Sequence, residues 1–164
     1  MDSFLGLPAH ALLVHAAVVL VPLAVVAFAA LCWKKAWREH YLVPVTLLTV
    51  AGGIAALLAK QSGEPLQGNI RDAARAAGER ASLGDHPGQG NTAFAMAFLF
   101  MLAVVAYWAA DRWGSKWNLP AWAPAAGYVV VLVPAALALF TMLMAGHSGA
   151  VLVWKDVGTF KIAG

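Results

Sequence analysis

Four stretches of the chain contain no Asp, Glu, Lys or Arg, and everything polar falls between them. They run from about Pro8 to Trp33, Tyr41 to Ala59, Thr92 to Ala110 and Ala123 to Ala145. A membrane crossing takes about 20 apolar residues, so each is long enough, or nearly so, to be a transmembrane helix. Pro22, Pro44 and Pro134 lie inside them, which a membrane bundle tolerates because neighbouring helices satisfy the freed carbonyls. Gly52 and Gly53 would let another helix approach the second span closely. The pattern predicts an all-α membrane protein, an antiparallel bundle of four transmembrane helices in a single domain over 1–164.

The joints are unequal. Lys34 to His40 and Asp111 to Trp122 are short; Lys60 to Asn91 is long. In the long joint Ile70, Ala73, Ala74, Ala77 and Ala81 share one helical face, with Arg71, Asp72, Arg75 and Glu79 on others. This predicts a short amphipathic helix on the membrane surface, its arginines solvated rather than holding a substrate. Gly84 to Gly90 reads as a turn into the third span, and it lacks the Lys-Ser or Lys-Thr of a phosphate loop.

Composition confirms the class: 62% of the 164 residues are hydrophobic and 12% charged, against roughly half and a quarter in a soluble domain. The net charge of +3 is too small and scattered for nucleic acid. One cysteine, Cys32, excludes an internal disulfide. Met1-Asp2-Ser3 lacks the basic start of a secretory signal, so the first apolar run reads as a retained helix. The two short joints carry Lys34, Lys35, Arg38, Arg112 and Lys116 against Glu39 and Asp111, while the other side balances six of each sign. By the positive-inside rule the short joints face the cytoplasm. Both termini and the long joint then face outward, in a multi-pass membrane protein. Trp33, Trp37, Tyr41, Trp113, Trp117 and Trp122 flank the short joints as interfacial anchors would.

Histidine is the candidate chemistry. His10, His15, His86 and His147 fall on the expected outer side, and only His40 on the other. His15 lies roughly 10 Å along the first helix and is expected to face the bundle interior, because an ionisable group in hydrocarbon points to a functional site. His10 and His15 project about 140° apart, which rules out a shared small ion and suits a large planar cofactor or one ligand with a supporting partner. Met96, Met101, Met142 and Met144 are better read as packing than as haem ligands. No acid pair and no Ser-His-Asp order appears; Ser148 beside His147 is a juxtaposition. Independent catalytic activity is therefore not expected.

Four segments carry a family likeness: Gly6-Leu-Pro-Ala-His10-Ala-Leu-Leu-Val-His15, Ala59-Lys-Gln-Ser-Gly63, Asp85-His86 with Asn91, and Gly146-His-Ser-Gly-Ala-Val-Leu-Val-Trp154. Together they resemble the bacterial membrane proteins of domain-of-unknown-function family 2231. Ala11 and Ala16-Ala17 depart from the opening pattern, and Lys155-Asp156 stands where Arg-His-Gly commonly follows. The resemblance implies a four-helix membrane domain without an assigned activity. Some members are joined to Rieske iron–sulfur domains, which implies redox work and makes haem b held by histidines a natural expectation. His15 would be one axial ligand and His86 or His147 the other, with His10 as partner or alternate. The alternatives are an accessory subunit packing against other membrane or respiratory-chain proteins, or itself as a homodimer, and an outward-facing copper or zinc site from His10, His86 and His147.

Overall fold

A computed structural model describes residues 9–114, 116–120 and 122–154. It contains α1 (Ala9–Trp33), α2 (Arg38–Ala76), α3 (His86–Trp113) and α4 (Ala123–Trp154), with a 3-10 turn at Lys35–Trp37 between the first two. Each helix is long and apolar enough to cross a membrane. Pro8, where the first span is expected to begin, lies outside the described residues. α1 packs on α2, α3 on α4, α2 on α3 and α1 on α4, closing a ring.

The ring is held by one seam per helix. α1 buries Ala17, Val21, Ala24, Phe28 and Leu31; α3 buries Ala93, Ala97, Phe100, Val104 and Tyr107. α4 buries Val131, Ala135, Ala138, Met142 and Ala145, and α2 buries Val45, Thr49, Gly52, Ala56 and Ala59 among others. All four seams step by alternating fours and threes, the spacing that keeps one stripe facing the axis of a left-handed bundle. Small residues dominate because lipid offers no hydrophobic drive for helices to associate, so close backbone approach must supply it. The expectation for Gly52 and Gly53 holds. A Cβ on Gly52 would lie 3.2 Å from Val21 Cγ2 in α1, and one on Gly53 2.6 Å from Met101 Sδ in α3. Thr46 and Thr49 are buried too, and their hydroxyls donate to the Leu42 and Val45 carbonyls one turn back.

Three boundaries differ from expectation, one of them the end of the fourth span, where α4 runs past Ala145 to Trp154. No separate helix occupies 70–81: α2 runs unbroken through Pro65 to Ala76. Its 39 residues make it about 58 Å long at 1.5 Å per residue, nearly twice the hydrocarbon thickness of about 30 Å. Gly63, Pro65 and Gly68 lie between Ala59 and Ile70, and none of them interrupts it. Gly78 does so, at φ +73°, with its N–H on the Arg75 carbonyl and the Glu79 N–H on Ala74. That is a Schellman ending, which needs the left-handed conformation glycine adopts freely. The turn expected over Gly84 to Gly90 ends at Asp85, because Pro87 suits the first turn of α3.

Gly52→Leu should force α1 off α2, since Val21 N and Leu20 C also lie within 3.5 Å of the added Cβ. Overpacking of this kind costs on the order of 1–3 kcal/mol, visible as a lower thermal midpoint in detergent. Gly68→Ala, with nothing within 4 Å, should not lower it. An unchanged midpoint for Gly52→Leu would contradict the seam.

Candidate functional site

The structure brings two of the five histidines together. His10, in the first turn of α1, and His86, at the start of α3, approach across the ring with centroids 6.4 Å apart and planes at 73°. Each is half-buried and held by the helix that follows it in sequence. His10 Nδ1–H donates to the Ala59 carbonyl of α2 at 2.8 Å, with Ser62 Oγ 3.4 Å away and itself donating to Ala59 at 3.0 Å. His86 Nδ1 lies 3.0 Å from Ser148 Oγ of α4, and Ser148 donates to the Ala145 carbonyl at 3.1 Å.

Chemistry assigns the protons. A carbonyl only accepts, so His10 must carry hydrogen on Nδ1. With Ser148 donating to the Ala145 carbonyl, its oxygen is open to accept from His86 Nδ1–H, the tautomer that matches His10. In that neutral tautomer Nε2 keeps its lone pair, and no described residue bonds it on either ring. Glycine makes the room: a Cβ on Gly63 would lie 2.9 Å from His10 Cε1, and one on Gly149 2.9 Å from His86 Cε1.

The other histidines lie elsewhere. His15 was expected to face the interior; it is exposed, with Nδ1 against the Ala11 carbonyl of its own helix. Helix phase, not depth, decides: since His10 faces inward, a residue five later must face away. His147 is exposed for the same reason, because the α4 seam passes through Ala145 and Ser148 faces His86. His40 sits near Tyr41 at the opposite end. Among the described residues no three His, Cys, Asp or Glu side chains converge as a metal cage would require. Ser62, Gly63, Ser148 and Gly149 are the site residues that sequence reasoning missed. Their signal was present, since Ala-x-x-Ser-Gly occurs twice, at Ala59–Gly63 and Ala145–Gly149.

Two further features complete the polar inventory. An open cleft of about 600 Å³ lies beside the start of α3, lined by Arg71, Gln89, Phe140 and Met144 among others. Gln89 Oε1 is buried there without a partner. At the far end of the bundle Arg38 donates to the hydroxyls of Tyr107 at 3.2 Å and Tyr128 at 3.4 Å. Its Nε lies 3.2 Å from Asp111. The two tyrosine rings stack at 5.6 Å, and Gly127 clears the space for Tyr107. Sequence reading counted Arg38 only as a loop charge. The tryptophans and Tyr41 at this end are exposed, as interfacial anchors are.

The model of a family described as "Predicted membrane protein (DUF2231)" matches residues 6–161, nearly the whole chain. The chain belongs to DUF2231. No curated protein and no solved structure matches it. The DUF2231 match spans all four helices, both histidine seats and the Arg38 cluster.

Arg38→Ala should destabilise the bundle, because one guanidinium ties α2 to α3 and α4. Hydrogen bonds to a charged group are worth about 1.5–3 kcal/mol, discounted here because Arg38 and Asp111 are a third exposed. Thermal melts of Arg38→Ala beside Arg71→Ala measure it; equal midpoints would contradict the tie.

Proposed function

We propose that this DUF2231 chain is a membrane haem b protein for electron transfer, with His10 and His86 as the two axial ligands. The observation that carries the reading is the convergence of two imidazoles whose Nδ1 atoms are engaged and whose Nε2 atoms have no partner among the described residues. A metal–imidazole bond is about 2.0–2.1 Å, and about 1.1 Å separates the nitrogen from its ring centroid. With centroids 6.4 Å apart, the two rings are within the reach that one iron held by both would require.

Ligand count chooses the occupant. Structural zinc takes four ligands and catalytic zinc three, and no third candidate converges among the described residues. Copper(I) favours thiolate or thioether; Cys32 is at the opposite end of α1. Haem iron brings four nitrogens of its own and asks the protein for two. When bound, haem supplies a one-electron carrier. The residues of the chain do the rest: the Ala59 carbonyl and Ser148 hydroxyl hold the rings and raise their basicity, as outer partners of ligating histidines do. The charge balance of the joints supports placing this end, with both termini, on the extracytoplasmic side of a bacterial inner membrane. A redox-complex subunit is the role such a carrier fits, with respiratory-chain proteins as partners.

Protein expressed with haem supplied should show a Soret band and the spectrum of six-coordinate iron with two nitrogen ligands. His10→Ala and His86→Ala should each abolish that spectrum, and His15→Phe should leave it unchanged. Absence of a Soret band, or a spectrum indifferent to His10 and His86, would overturn the reading and favour an accessory role.

A further inference from the structure

The two histidine seats are copies of one another. His86 lies 76 positions after His10, and adding 76 to Ala17, Val21, Ala24, Phe28 and Leu31 lands on the α3 seam at every step. Adding 86 to Val45, Thr49, Gly52, Ala56 and Ala59 lands on the α4 seam in the same way. The same step of 86 carries Ser62-Gly63 onto Ser148-Gly149. Packing obeys the exchange as well: swapping α1–α2 for α3–α4 leaves the ring of contacts unchanged. Each hairpin thus presents one imidazole, one serine, one alanine carbonyl and one glycine in one arrangement.

We infer that the bundle is a duplicated helical hairpin, and that its two Ala-x-x-Ser-Gly segments are equivalent seats fixing His10 and His86 as a matched pair of Nδ1-protonated imidazoles. Ser62, Gly63, Ser148 and Gly149 are then positioning residues, acting through the histidines. The geometry gives each a task. The glycine admits the ring edge, with only 2.9 Å between a would-be Cβ and Cε1. In each seat the serine is bonded to the alanine carbonyl, and Nδ1 meets the pair at the carbonyl for His10 and at the serine for His86. Nε2 is left bare on both rings, so whatever occupies the site meets two acceptors of the same kind from opposite hairpins. The use made of the pair rests on the haem reading; the seats themselves do not.

The test is nitrogen NMR of the full-length protein in nanodiscs, with ¹⁵N-labelled histidine, first without haem. His10 and His86, assigned by their alanine variants, should both show Nδ1–H and an unprotonated Nε2 at neutral pH. Gly63→Ala should shift only the His10 signals, and Gly149→Ala only those of His86. Alanine is the better helix former, so a shift is not explained by a weakened helix. Ser148→Ala, which keeps the seat's volume, should also shift His86. With haem, each glycine variant should lose affinity by about 10–100-fold, as loss of an outer partner does, and the two losses should match within a few-fold. Responsive tautomers in a protein that binds no haem would sustain the seats and sink the haem reading. Tautomers indifferent to both glycines, or a loss confined to one seat, would overturn the inference even in a haem-binding protein.

Discussion

Hydrocarbon supplies no hydrogen bonds, so every backbone N–H and C=O in a span must find its partner inside the protein. That constraint makes the four apolar stretches helices. It also deprives those helices of the force that assembles soluble bundles, since lipid is as apolar as leucine. What remains is close contact, and the seams are built for it. Gly52 lets α1 approach at Val21, and Gly53 lets α3 approach at Met101. Gly63 continues the Gly52 face of α2 eleven residues on, where α1 presents not valine but His10. The packing that holds the bundle together is thus also what brings an imidazole against α2, and the same device recurs at Gly149 for His86.

Most of the fold was legible in the sequence because it follows from where charge is missing. The spans, the tight approach at Gly52-Gly53 and the exposed tryptophans rest on composition and local spacing. The long joint was misread because amphipathic periodicity says a segment is helical but not whether it is a new helix. Continuity depended on the absence of a stop before Gly78, and Pro65, the one breaker, lies inside α2.

The candidate site was legible only in part. His10 and His86 could be named, but their pairing depends on helix phase, which a uniformly apolar span conceals. With no polar face to orient α1, depth seemed to favour His15. The buried seam at Ala17, Val21 and Ala24 orients the helix instead, and it turns His15 outward. The seats hide for a different reason. Serine and glycine are unremarkable singly, and their meaning lies in a repetition at long range. Arg38 was obscured by counting: as one of five joint cations it marks orientation, and only three-dimensional packing reveals the two tyrosines it holds.

The two ends of the bundle differ in how far the hairpins remain alike, and that difference bears on where chemistry can occur. At the tyrosine end the copies diverge. Tyr107 and Tyr128 occupy the positions of Leu31 and Leu42, so in the cluster one hairpin supplies the two hydroxyls and the other, through Arg38, the cation. The guanidinium is met by two phenols and a carboxylate. Such a cluster consumes its own bonding capacity and ties helices together. At the histidine end the seats agree in histidine, alanine, serine and glycine, and the agreement leaves capacity over. Each Nδ1–H is taken up by the seat while each Nε2 lone pair is not. The arrangement anchors each ring by one nitrogen, and no described residue bonds the other. Among the described residues, bonding capacity is therefore left over at the symmetric end and not at the tyrosine end.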